Sequence, residues 1–277
     1  MEFAAITARP SSLLQTPDRL PGSPVINAEW QHYALLVYAV PVRRAWPLLP
    51  AGFEPDEFSL NGQPCALISV ESFLDNGSGY RFGHCAPFEQ TSYRLHVRRR
   101  GLAGTWLLST AVGSLTAVAP RHLWPLPWHL SAMEFQVTWD QFAGCYHEYR
   151  LQTSSQQANA FWSIQDTGQS LAFDPAAVLP ALPFRATTDW FRRADGACGE
   201  YRITRSDLHL TRAHLKHSRC ELLERTGLVT SEELMRPHLV ALQRRLTAQI
   251  HAPAAEKSAA PYLSRTMPAP GSFAAAA

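Results

Sequence analysis

Between Tyr33 and Gln165 the chain is cut by turn residues into short apolar or alternating runs, which leaves few folds open to it. The run Tyr33 to Val40 is apolar throughout and stops at Pro41, which fits a buried strand better than a helix. Runs of strand length follow at Pro64 to Phe73, Ser92 to Arg100, Thr105 to Val112, Met133 to Trp139, Tyr146 to Thr153 and Ala160 to Gln165. Each carries β-branched or aromatic residues, with turn residues between them. Such a series predicts an antiparallel meander, and closing the sheet on itself removes the edges it would otherwise expose. The fold class expected is mainly β (α+β), a closed or strongly curved antiparallel sheet with a few peripheral helices. One of these is a short helix over Arg43 to Leu49, stopped by Pro50 with Gly52 in the turn.

The last third changes character. After a Pro-punctuated stretch from Asp174 to Pro183, Thr188 to Arg193 reads as a short helix and Glu200 to Thr211 as a hairpin. Ser231 to Ile250 reads as a long helix, with Ser231 as N-cap, Glu232 and Glu233 in its first turn, and an apolar stripe of Leu234, Leu239, Leu242, Leu246 and Ile250. Pro237 kinks or splits it. Residues 1–28 are rich in Pro, Ser and small side chains and read as an irregular arm. Residues 252–277, rich in Ala and Pro, lack the apolar bulk to order themselves. Residues 29–251 are expected to form a single domain, since 46% hydrophobic content supports a large core.

Charge and composition narrow the partners. The net charge is +2 and the basic run Arg98 to Arg100 is short, so no nucleic-acid partner is expected. No apolar stretch nears the roughly 20 residues that span a bilayer, and the first 30 residues lack the pattern of a secretory signal. A cytoplasmic protein without membrane contact is expected, and homo-oligomerisation is left open. The five cysteines are scattered, with no Cys-x-x-Cys pair, and read as reduced thiols. His209, His214, His217 and Cys220 are of metal-ligand type, but spacings of five, three and three at a strand-to-helix junction read as a histidine-rich surface, so neither metal nor cofactor is expected. Of 25 cationic side chains only Lys216 and Lys257 are lysines, and Lys216 sits in a polar, cation-crowded stretch. Schiff-base chemistry needs a desolvated lysine of lowered pKa, so this scarcity alone restricts the reactions available.

Four blocks carry a resemblance: Val40-Pro41 through Leu48-Leu49-Pro50-Ala51-Gly52-Phe53, then Phe88 to Val97, then Arg121 to Met133, then Asp189-Trp190-Phe191 through Glu200-Tyr201-Arg202. In that order they resemble the YqjF-like family of uncharacterised proteins, within the acetoacetate decarboxylase-like superfamily. The resemblance implies a cone-like closed barrel with a central pocket. It also implies, for the decarboxylases, a Schiff-base lysine, a second lysine that lowers its pKa, a glutamate on a facing strand and an arginine for the substrate carboxylate. Carried over by position, the lysine pair of the Arg-x(n)-Pro-Lys-Lys segment falls on Trp128 and His129, the glutamate on Gln90, and the arginine on or beside Ala39. All four are replaced, and no lysine stands before Lys216 to restore the pair. Where the YqjF-like pattern has Glu-Leu-Asn-Val-Arg, this chain has Gln90-Thr91-Ser92-Tyr93-Arg94, so only the arginine is kept.

These residues frame the expected site. Alternation along a strand puts Ser92, Arg94, His96 and Arg98 on one face, either towards solvent or lining a polar pocket. In a pocket Arg94 binds a carboxylate or polarises an enolate oxygen, and His96 exchanges a proton. Glu71 is either a general base inside the barrel or a strand-end charge reaching water. Arg121 either joins Arg94 or caps a carbonyl. His129 is the first choice of catalytic histidine, with Glu134 to orient it and Arg94 in the same cavity, while Gln90 and Trp128 are expected to touch substrate. Trp106, Trp124, Trp128, Trp139 and Trp162 are expected to wall the pocket. The expected function is a small-molecule enzyme acting by proton transfer on an apolar carbonyl or polyketide-like compound (isomerase, cyclase or dehydratase type) without an imine. The alternative is a non-catalytic binding protein for an apolar small molecule.

Overall fold

The computed structural model describes residues 25–77, 79–80, 83–84, 86–115, 126–171, 186–193, 195–206 and 208–251. Arg121, Trp124, the Asp174 to Pro183 stretch and the 252–277 tail lie outside them. Strands are numbered in chain order, and four short ones, β2 (Phe53–Pro55), β3 (Phe58–Leu60), β5 (Gly79–Tyr80) and β6 (Gly83–His84), extend the sheet at its margins. β1 (Val25–Pro41), β4 (Gln63–Asp75), β7 (Phe88–Arg99), β8 (Leu102–Val112), β13 (Ala186–Arg192), β14 (Cys198–Arg205) and β16 (Leu239–His251) pair in that order, and β16 returns to β1. The result is a closed ring, antiparallel except at the parallel seam between β8 and β13. The first part of β16 also pairs β15 (Thr211–Cys220), which begins a second limb running through β12 (Ala160–Ser170) and β11 (Cys145–Ser154) to β10 (Ala132–Asp140). The sheet is therefore mixed, ring-like at one end and open at the other.

Two apolar layers follow from this plan. One lies inside the ring, from Trp30, Tyr33, Leu35, Val37, Leu67, Phe73, Leu107 and Ile203. The other lies between the ring's outer face and the second limb, from Leu36, Ile68, Val70, Tyr93, Leu95, Tyr149, Trp162 and Leu242. The sequence of β1 reflects both: Asn27, Glu29 and Gln31 alternate with buried Ala28 and Trp30, whereas Tyr33 to Tyr38 are buried without interruption. A strand covered on both faces has no use for polar alternation.

Three expectations for the last third are corrected. Thr188 to Arg193 is strand, not helix, because Ala186 to Arg192 pairs rung by rung with Thr204 to Cys198. Glu200 to Thr211 is not a hairpin, since β14 and β15 flank β16 rather than each other. The long helix over Ser231 to Ile250 shrinks to Ser231–Leu234, with Thr230 rather than Ser231 as N-cap in a reciprocal capping box with Glu233. From Leu239 onwards the chain is β16. Its side-chain parity changes along its length: Leu239 and Ala241 point into the ring, and so do Leu246 and Ala248. That switch, with Val240 and Leu242 buried on the other face, yields apolar spacings that mimic helical periodicity. The expected helix over Arg43 to Leu49 is present as one turn of α-helix, Val42–Ala45, and a 3-10 turn, Trp46–Leu48. β1 starts at Val25, within the span read as an arm.

Two backbone features position the interior. His32 has φ 53°, and the β1–β4 register slips by one residue between Gln31 and Ala34. This bulge lets Trp30 and Tyr33, which simple alternation would put on opposite faces, both stack on Phe73. At the β8–β13 seam, a Cβ on Gly104 would lie 2.5 Å from the Thr188 carbonyl oxygen and 2.5 Å from the Trp190 ring. Only glycine lets the two backbones approach there.

Candidate functional site

The inner face of the ring is built from alternate residues of its strands: Ser69, Glu71 and Phe73 on β4, then Gln90, Ser92, Arg94 and His96 on β7. Thr105 on β8, Asp189 on β13 and Tyr201 and Arg205 on β14 join them. The alternation expected for β7 is therefore present, and its polar face points inward. Arg94 is 1% exposed and Asp189 0%.

These side chains form a charge network. The Arg94 Nε donates to Asp189 Oδ2 at 3.0 Å, and Thr105 donates its hydroxyl to Asp189 Oδ1. The Arg94 Nη1 lies 3.2 Å from Glu71 Oε2, a charge contact without hydrogen-bond alignment. The Arg205 Nη2 donates to both Glu71 oxygens, at 3.2 and 2.9 Å, and its guanidinium lies 5.6 Å from the Trp30 ring centroid. Burial opposes the Asp189 carboxylate, but Arg94, Thr105, Arg205 and Tyr201 outweigh it and hold its pKa below the usual range. Burial, with Glu71 alongside, pushes the Tyr33 phenol up, and burial with Asp189 does the same to Tyr201. Both stay protonated.

His96 stands next to this network. Its Nε2 shares a 3.1 Å hydrogen bond with Ser69 Oγ, while Nδ1 is buried with no hydrogen-bond partner among the described residues. Burial lowers its pKa to about 4, helped by Arg94 and Arg205 and opposed by Glu71 and Asp189. At neutral pH the ring is uncharged. Other buried polar atoms on the inner face also lack a partner among the described residues: Trp30 Nε1, Thr187 Oγ1 and Arg205 Nε. Such atoms are uncommon in a finished core, and a water or a ligand oxygen can satisfy them.

Of the expected site residues, the ring brings together Glu71, Gln90, Arg94 and His96. Gln90 donates to Ser92 Oγ at 3.0 Å, and Ser92 and Thr110 share a 3.2 Å bond. Trp128, on β9 (Trp128–Leu130), pairs with Thr110 and packs on Phe88 and Val112, on the same side of the wall. His129 does not join them. Its Nδ1 shares a 3.3 Å bond with Ser109 Oγ, and Ser109 stands opposite Tyr93, on the outer face of β7. The cavity expected to hold Arg94 and His129 together is thus divided by the strand wall, because consecutive residues of β9 face opposite ways. Glu134 is exposed and accepts from Gln136 instead. Trp106 and Trp162 lie in the layer outside the ring and Trp139 packs against it, while Trp30, Tyr33 and Phe73 stack on one another inside the ring, where Phe191, Tyr201 and Trp128 also lie.

Sequence reasoning missed Asp189 and Arg205 as site residues. Asp189 was in a recognised block but read as helical, which hides its alternation with Thr187 and Phe191. Arg205 shares a face with Ile203 and Tyr201, two and four residues earlier, a signal that the hairpin expected over Glu200 to Thr211 already contained. The histidine-rich run is strand β15, with His214 and His217 exposed. No group of three or more His, Cys, Asp or Glu that could hold a metal exists among the described residues. Lys216 is exposed on the same strand, and no helix among the described residues is long and apolar enough to cross a membrane.

Residues 27–246 match the DUF2071 family, described as an uncharacterised conserved protein. The chain belongs to this family. No curated protein matches it. Among solved structures the DUF2071 chain is similar to acetoacetate decarboxylase from Legionella pneumophila, with a TM-score of 0.55 and 13% identity over 87% of this chain and 91% of that one. It is also similar to an acetoacetate decarboxylase-like enzyme from Sphingomonas wittichii RW1, with a TM-score of 0.56 and 12% identity over 87% of this chain and 96% of that one. The ring and its second limb are therefore the acetoacetate decarboxylase-like fold.

Proposed function

We propose that this DUF2071 protein is a cytoplasmic small-molecule enzyme that moves a proton on a carbonyl compound inside the ring, as an isomerase, cyclase or dehydratase does, and forms no imine. The observation that carries this reading is the buried, unpartnered Nδ1 of a neutral His96 beside the Arg94–Glu71–Asp189–Arg205 network. With Nε2 taken by Ser69, Nδ1 is the ring atom left to face a ligand and exchange its proton. Arg94, held in place by Asp189, stabilises negative charge developing on the carbonyl oxygen. The imine is set aside because no lysine precedes Lys216, and Lys216 is exposed on the second limb.

The test is deuterium incorporation next to the carbonyl of a panel of ketones in heavy water, followed by proton NMR, with borohydride trapping alongside. Acceleration by the protein is expected, falling about 10²–10⁴-fold in His96→Gln, as for loss of a general acid or base. No borohydride-fixed adduct should form. An adduct on Lys216, or exchange indifferent to His96, would overturn the reading. The placement of His129 outside the ring favours a second reading, a container that binds without catalysis; it predicts ligand binding with no exchange at all.

A further inference from the structure

Among the described residues the inner face of the ring offers many hydrogen bonds and no spare charge. Its guanidinium groups, Arg94 and Arg205, are matched by the carboxylates of Asp189 and Glu71, each within 3.2 Å of a partner. His96 is neutral, and the phenols of Tyr33 and Tyr201 keep their protons. The remaining acid on this face, Asp75 at the end of β4, accepts from the Gly77 backbone N–H at 3.0 Å and adds negative rather than positive charge. Among the described residues a carboxylate arriving here finds no unmatched cation and has to displace an existing buried ion pair, which exposes the displaced acid to an uncompensated low-dielectric setting.

The unpartnered atoms have the opposite bias. Trp30 Nε1 and Arg205 Nε can only donate, and Arg94 Nη1, in charge contact but without an aligned acceptor, can only donate as well. Thr187 Oγ1 and His96 Nδ1 can donate or accept. Arg205 ties these together, since its guanidinium faces the Trp30 ring and shares Glu71 with Arg94. A ligand that satisfies such a set supplies oxygen acceptors. Stacked Trp30, Tyr33 and Phe73 give it an aromatic wall.

We infer that the ring binds an uncharged compound through carbonyl or related acceptor oxygens, and discriminates against a carboxylate of the same size. This deepens the proposed function and rests on the same site. It also separates this chain from any reaction whose substrate must be held by a carboxylate.

The probes are 2,4-pentanedione and acetoacetate, which have the same number of heavy atoms and differ at neutral pH mainly in charge. Their binding to the full chain is compared by ligand-observed NMR and by tryptophan fluorescence. Pentanedione should bind at least about tenfold more tightly than acetoacetate, because only the anion has to break a buried pair. Asp189→Asn leaves Arg94 without its matched anion and should narrow or reverse that preference. Glu71→Gln, which frees charge on Arg205, gives the same outcome if the first variant does not fold by circular dichroism. Acetoacetate binding the unaltered protein as tightly as pentanedione overturns the inference while leaving the proton-transfer reading intact. Pentanedione binding more tightly than acetoacetate, but without His96-dependent exchange, overturns that reading and supports the inference. Failure of both probes to bind overturns the site and the inference together.

Discussion

A histidine walled in beside two arginines loses its proton far more readily than one in water, and His96 is in that position, with its pKa brought from 6.5 to about 4 by burial first and by the guanidinium groups second. The lowered value has a definite sign in stability. The unfolded chain takes up a proton on this side chain near pH 6.5 and the folded protein does not, so the stabilisation is complete above that pH and is lost as pH falls towards about 4. Urea unfolding at neutral pH and at the acid end of that window should differ by about 3 kcal/mol more in the native protein than in His96→Gln. Asp189, whose pKa is lowered from 3.8, contributes stability above its unfolded value and loses it only in stronger acid, outside the window. Asp189→Ala should cost about 3–5 kcal/mol in chemical denaturation, because Arg94 is then a buried charge without its hydrogen-bonded partner. Arg94 and His96 were legible in the sequence because alternation along β7 is a local property. The hydrogen-bonded acid of Arg94 was not, because nothing local links position 94 to position 189. The same limit misplaced His129: being adjacent to Trp128 in sequence sends it to the other side of a strand.

Among the elements, β1 shows how one residue's backbone sets the facing of many side chains. His32 sits at φ 53°, a region that costs L-residues about 1–2 kcal/mol, and its carbonyl accepts a 2.6 Å bond from Tyr149 across the gap to the second limb. His32→Gly should hold or raise the melting temperature, since glycine adopts this conformation freely, whereas His32→Val should destabilise by about 1–2 kcal/mol in urea titration. Deleting His32 should turn Tyr33 away from Glu71 and leave little folded protein. The strand from Tyr33 to Val40 was legible as a buried apolar run. The bulge before it was not, since no glycine marks the position. The same kind of parity change made β16 read as a helix, because burial on both faces removes the two-residue signal that separates strand from helix. The β7, β8, β10, β11 and β12 segments were legible because each is of strand length, carries β-branched or aromatic residues and is closed by turn residues.

At the scale of the whole molecule, β16 belongs to both halves. It closes the ring against β1 from Val25–His251 to Val37–Leu239, and its Ala241 and Leu242 pair with β15 of the second limb. Unfolding of either half therefore strips partners from the other. Denaturation followed by far-ultraviolet circular dichroism and by tryptophan fluorescence should give coincident transitions, since Trp30 and Trp190 report from the ring and Trp139 and Trp162 from the limb. Separate midpoints would mean that β16 does not couple the halves. Closure itself was legible from the number of strands in series, but the choice of β16 as the closing strand was not, because that strand was hidden in a helix-like pattern. Around the ring the rungs are unevenly shared. β8 and β13 meet only at Asp189–Thr105 and Trp190–Trp106 among the described residues, whereas their neighbours pair along most of their lengths. Under tension along the circumference a hoop parts at its narrowest join, and this one is fastened by side chains as well as backbone: Asp189 reaches across β8 to Arg94, with Thr105 between them. The acid that orients Arg94 is also the buckle of the hoop, so weakening it for chemistry loosens the container as well.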